Sequence, residues 1–204
     1  ALGISLITKA GLGTSPITSL AFVLTFIFPH SLGEFTMLVN TVMFLIQAAL
    51  LGKAFGKIQL LQLPAALLFS ACIDGWMYIL GFWKTGSYVG QVLMLLLGCV
   101  FLGLGIAFEV IPNVLILPGE GLVRVIAGLT GWRFGLVKTG FDMSIVASAV
   151  GVSLFFTGHV LGIREGTVLA ALIVGSISHF FIEKVSNVLE GWIPDYSDAG
   201  DACP

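Results

Sequence analysis

Charge is what this chain has least of. Lysine, arginine, aspartate and glutamate make up only 10% of its 204 residues, against 57% hydrophobic ones. Soluble domains carry about 25% charged residues, and a mean hydropathy of +1.07 excludes a surface of that kind. The few charges are nearly balanced, 9 basic and 11 acidic. They form no basic stripe, which excludes a nucleic-acid footprint. Cysteine is scarce as well. Cys72, Cys99 and Cys203 show no CxxC spacing, which argues against a redox pair or a disulfide framework. Histidine-zinc, nucleophile-elbow, phosphate-loop and dinucleotide patterns are missing from any credible context. No enzyme is expected, and neither a cofactor nor a metal site.

What is there is a series of apolar runs. A bilayer core needs about 20 apolar residues per helix. Leu38–Leu51, Leu60–Phe82, Gly90–Val110, Phe141–Phe156 and Thr167–Ile182 approach or reach that length. The expected fold class is all-α, a polytopic helical membrane protein. Trp76, Trp83, Trp132 and Trp192 fall near span ends, as an interfacial belt does. Nothing at the start resembles a signal peptide. Ala1–Ile7 reads as the last turns of a helix whose first part precedes Ala1.

Two stretches follow the same script at a constant shift of 102 positions. Gly3, Pro16, Gly33 and Asn40 in the first align with Gly105, Pro118, Gly135 and Asp142 in the second. Residues 1–83 and 84–190 are therefore read as two tandem transmembrane repeats, followed by a polar acidic tail, 191–204. Each repeat contains a short proline-started piece, Pro16–Phe28 or Pro118–Thr130. As a helix such a piece reaches about 20 Å, less than a hydrocarbon core. If the short pieces re-enter, each repeat crosses three times and the two are inverted; if they span, the repeats are parallel. Piece length favours the inverted form. Lys53, Lys57, Arg133 and Lys184 against Lys9, Lys84 and Arg164 give too even a split to fix orientation.

Duplicated, interrupted hydrophobic units are the layout of many small-solute transporters. Proline suits the first turn of a helix, and a helix start at membrane depth offers unpaired N–H groups to a polar solute. Ser15, Thr14 and Thr18 add hydroxyls there, although capping and close packing explain the same residues. The second repeat carries the stronger pattern. Glu120 and Arg124, and likewise Lys138 and Asp142, are spaced to share a helical face. An ionisable group at membrane depth costs about 2.5–3.5 kcal/mol on insertion scales, so four of them need a reason. Mutual neutralisation pinning the short piece is one reason; exchange with a charged solute or proton is the other. Asn40, the uncharged counterpart of Asp142, is a further candidate. So are Asp74 and its counterpart His179, and Asn113, which with Glu109 flanks Pro112 at a helix end.

Leu117-Pro-Gly-Glu-Gly-Leu122, Val137-Lys-Thr-Gly-Phe-Asp142, Gly162-Ile-Arg-Glu-Gly-Thr-Val168 and Gly11-Leu-Gly-Thr-Ser-Pro16 resemble the YczE/YitT family of small bacterial membrane proteins. The resemblance runs to about Val185. One departure is Arg164-Glu165, which replaces the glycine-rich middle of that family's turn. The resemblance implies a multi-pass protein of the bacterial inner membrane, transporter-like, with Glu120, Lys138 and Asp142 as the residues to test. The leading expectation is a transporter of a small polar or charged solute, with its site between the two short helices. The alternative is a non-transporting scaffold or substrate-capture subunit of a larger complex. The bilayer and the solute are the expected partners, with a homo-oligomer as a further option.

Overall fold

A computed structural model describes residues 1–52, 55–83, 86–111 and 116–190. Among them every regular element is helical, without a strand: α1 (Leu2–Lys9), α2 (Ser19–Ile27), α3 (Leu32–Leu51), α4 (Gln62–Ile79), α5 (Tyr88–Val110), α6 (Pro118–Thr130), α7 (Phe134–Thr157) and α8 (Glu165–Glu190). Five segments are long and apolar enough to cross a membrane: Leu32–Leu51, Ile58–Phe82, Tyr88–Glu109, Gly135–Thr157 and Glu165–Ile182. The tail 191–204, with Cys203 and Trp192, lies outside the described residues.

All five start earlier than the apolar runs suggest, and for the two largest shifts, Leu32–Leu51 and Gly135–Thr157, local chemistry explains the difference. The start of α3 is set by a capping box, in which the Ser31 hydroxyl accepts from Glu34 N and the Glu34 carboxylate accepts from Ser31 N, each at 3.0 Å. The start of α7 is hidden in the sequence because Lys138 and Asp142 break its apolar pattern while pairing with each other. The left-handed residues Gly131 (φ 70°) and Gly158 (φ 70°) close α6 and α7.

Both short proline-started helices form. Pro118–Thr130 is α-helical along its length. Pro16–Ile27 opens with a 3-10 turn over Pro16–Thr18, where Thr18 Oγ1 and Ser19 Oγ donate to the carbonyls of Ser15 (3.2 Å) and Pro16 (2.6 Å). Such local side-chain bonds compete with the regular helix.

Chain directions follow from named contacts. Gly3 lies against Gly98 and Leu102, Ile7 against Gly98, and Gly11 beside Gln91, so α1 and α5 run antiparallel. Leu95 lies at Gly166 and Gly103 at Ile177, so α5 and α8 run parallel. Ile17 and Leu20 share a cluster with Met43 in the middle of α3 and Ile145 in the middle of α7. Phe28 reaches Phe156 near the end of α7, ring centroids 6.0 Å apart. The short helix α2 therefore starts at mid-depth and climbs with α7. The other short helix, α6, starts beside Met43 and passes Gln47, descending with α3.

After α1 the chain turns back into the bundle as an extended segment that reaches Pro16. Buried non-helical backbone must be satisfied internally, and the start of α8 does so. Gly166 N donates to Leu12 O (2.8 Å), Thr14 N donates to Thr167 Oγ1 (3.1 Å), and Arg164 Nη1 donates to Gly11 O (3.1 Å).

Candidate solute site

The two short helices meet start to start. A side chain at Gly119, in the first turn of α6, would collide with Ile17 in the first turn of the other short helix. Beside this junction lies a cavity of about 970 Å³, at the upper end of the range for small-molecule sites. It is walled chiefly by α3, α5, α6, α7, α8 and the opening turn before α2, with Ile4, Ala21 and Phe69 added from α1, α2 and α4, and most of its lining is apolar.

Its polar pole is built by three helices. Lys138 on α7 donates to Glu120 Oε1 on α6 (3.3 Å) and to Asp142 Oδ1 one turn further along α7 (3.0 Å). Glu120 is buried, at 9% exposure. One ammonium thus bridges two carboxylates and ties the short helix to its neighbour. Arg124 lines the same cavity from α6, and Glu109 does so from the end of α5. The Glu109 carboxylate accepts from Leu117 N (2.6 Å), just ahead of α6. Removing a single member leaves the others charged and poorly solvated, which is the costly outcome for buried ions.

Residues 1–183 match the profile of a family described as "Family of unknown function (DUF6198)". The chain belongs to that family. Two similar proteins come from Bacillus subtilis (strain 168). One, the uncharacterized membrane protein YczE, is 27% identical over 205 aligned positions, covering 100% of this chain and 90% of the relative. The other, the uncharacterized protein YyaS, is 28% identical over 188 positions, covering 90% and 87%. No solved structure matches significantly. The family assignment, the YczE match and the five apolar helices make this a membrane protein.

In this DUF6198 chain, the candidates divide. Glu120, Arg124, Lys138, Asp142, Asn40 and Ser15 all line the one cavity. Asn40 Nδ2 donates to Thr36 O (2.9 Å), and Ser15 Oγ shares a hydrogen bond with Thr18 Oγ1 (2.9 Å). Asp74 is not among the lining residues. It accepts from Ser31 Oγ (2.6 Å) and Gly33 N (2.7 Å), so its carboxylate caps α3 and latches it to α4. Asn113 lies outside the described residues, as does the side chain of His179.

Three further features of the site region depend on tertiary contacts. Gln47 and Gln62, 2% and 5% exposed, flank Gly121 in the first turn of α6. Their Oε1 atoms have no protein partner among the described residues. Arg164 holds the Gly11 carbonyl. Finally, Thr8, Thr14, Thr18 and Ser15 form a buried chain of hydroxyls with 2.9–3.0 Å links. That chain ends at the cavity lining.

The aligned glycines of the DUF6198 sequence sit in unlike surroundings. Cβ atoms on Gly3 and Gly33 would strike α5 backbone and the Ser70–Asp74 stretch of α4 respectively. Gly105 and Gly135 face the cavity, and a Cβ added to either would meet no described atom within 4 Å. Packing differs correspondingly: α3 lies along α4, whereas α7 and α8 stand apart across the cavity.

Proposed function

We propose that this protein is a carrier of a small polar or charged solute in the bacterial inner membrane, without enzymatic activity. The site lies where the two short helices meet. The observation that carries this reading is the Glu120–Lys138–Asp142 bridge, set with Glu109 and Arg124 on the wall of a large cavity at mid-depth. Ionisable groups within the bilayer are expensive and mark solute or ion paths. A network that merely joined helices would need no such cavity beside it.

The mechanism we favour is alternation between two inverted repeats. Residues 1–83 are the closed repeat, with Gly3 and Gly33 packed; residues 84–190 are the open one, with Gly105 and Gly135 facing the cavity. The opposite state exchanges these conformations, as in inverted-repeat transporters generally. Gly135 would then pack on α8 near Gly175, as Gly33 now packs on α4 near Ser70.

The test is flux into proteoliposomes across a panel of polar and charged solutes. Asp142→Asn and Glu120→Gln should each abolish flux while the protein still inserts and purifies. A preparation that moves no solute, and that co-purifies with another chain, points instead to the subunit role. Variants that fail to fold mark the network as structural.

A further inference from the structure

We propose that the cavity takes an organic cation, an amine or quaternary ammonium with an apolar body, whose charge exchanges with the Lys138 ammonium at the acidic pole. This rests on the carrier reading and narrows it. Among the described residues, five ionisable side chains line the cavity: Glu109, Glu120 and Asp142 are acidic, Arg124 and Lys138 basic. The pole therefore has one more acid than base. The acid with a neutral donor is Glu109, whose carboxylate accepts the Leu117 N–H.

Lys138 shows which chemistry suits the pole. Its ammonium is a cation on an apolar stem, held between two carboxylates at 3.3 and 3.0 Å. A solute ammonium that took over Glu120 or Asp142 would leave Lys138 bound to the other, so the exchange strands no buried charge. An anion aimed at Lys138 has no equivalent route. To reach Lys138 it must pass close to carboxylates on both sides, at the cost of like-charge repulsion.

Size and walls argue for an organic cation over a bare ion. About 970 Å³ far exceeds what a metal ion fills, and the mostly apolar lining would dehydrate such an ion without replacing its oxygen ligands. Phe69, Phe101 and Trp132 are among the lining residues, and aromatic faces attract cations.

A matched pair of probes isolates the sign of the charge. Tetraphenylphosphonium and tetraphenylborate share size and shape and differ in charge. Saturable binding of the cation to purified protein is expected, with none of the anion. Glu109→Gln keeps a carbonyl for Leu117 N–H and should weaken cation binding about tenfold or more. Lys138→Met removes the internal competitor and should strengthen it. Saturable binding of tetraphenylborate, or cation binding indifferent to both substitutions, overturns the proposal. The two readings fail separately: cation binding without flux removes the carrier and keeps the ligand class, whereas flux of anions alone does the reverse.

Discussion

Placing one methyl group at each of two aligned glycines separates a packed interface from a waiting one. In Gly33→Ala the new Cβ meets Ser70 O and the Asp74 carboxylate. The obstacle includes backbone, so α3 must move away from α4 or Asp74 must release its two hydrogen bonds. Overpacking of this kind costs about 1–3 kcal/mol. Alanine's helix preference offsets at most about 1 kcal/mol, and less than that close to a helix start. Gly135→Ala meets no described atom within 4 Å and should leave stability unchanged or raise it by a few tenths of a kcal/mol. At about 2–4 °C per kcal/mol for a chain of this size, thermal unfolding in detergent should separate the two variants by several degrees. Flux should show the complementary pattern. Gly135→Ala blocks the approach of α7 to α8 and should transport far more slowly than the wild type despite full stability. Equal destabilisation by the two substitutions would refute the packing argument. Wild-type flux by Gly135→Ala would refute the exchange of conformations.

Other outcomes follow from individual contacts. Replacing both Gly135 and Gly175 by cysteine, in a background without the native cysteines, should give a disulfide whose yield falls when tetraphenylphosphonium holds the cavity open; no disulfide under any condition counts against closure. Lys138→Met should destabilise the protein by about 3–5 kcal/mol, because the buried Glu120 and half-buried Asp142 carboxylates lose their partner, and adding Glu120→Gln and Asp142→Asn should recover most of it in the same unfolding assay. Asp74→Ala removes an acceptor from Gly33 N and Ser31 Oγ and should cost about 1–3 kcal/mol, with tetraphenylphosphonium binding unchanged because Asp74 stands outside the cavity. Thr167→Val leaves the buried Thr14 N–H without its acceptor and should cost a similar amount; an unshifted unfolding midpoint would show that this bond is not made.

The sequence is most legible where a single residue type dictates local backbone or carries a large energetic cost. Pro16 and Pro118 open the two short helices because their rings suit a first turn, and the structure starts both there. Lys138 and Asp142 are readable from helical spacing and are bonded. Spacing places Glu120 on a face with Arg124, yet its ion pair with Lys138 comes from another helix, and helical spacing within one segment says nothing of neighbours. The same limit hides the cap made by Asp74 on α3, the bond from Leu117 to Glu109, and the carboxamides of Gln47 and Gln62 beside Gly121. Each depends on how far apart two helices settle. The packed and open glycines are legible as a pair in the sequence, but only the tertiary structure distinguishes their surroundings.

The docking of Leu12 and Thr14 on Gly166 and Thr167 joins positions 153 apart in the case of Thr14 and Thr167. During synthesis the early segment emerges long before its partner exists. Its carbonyl and amide must be sheltered by water, lipid headgroups or the insertion machinery until the last helix arrives. Assembly of the first hydrophobic unit is thus completed by the final one, and a ribosome stalled before residue 164 would leave the whole protein ajar.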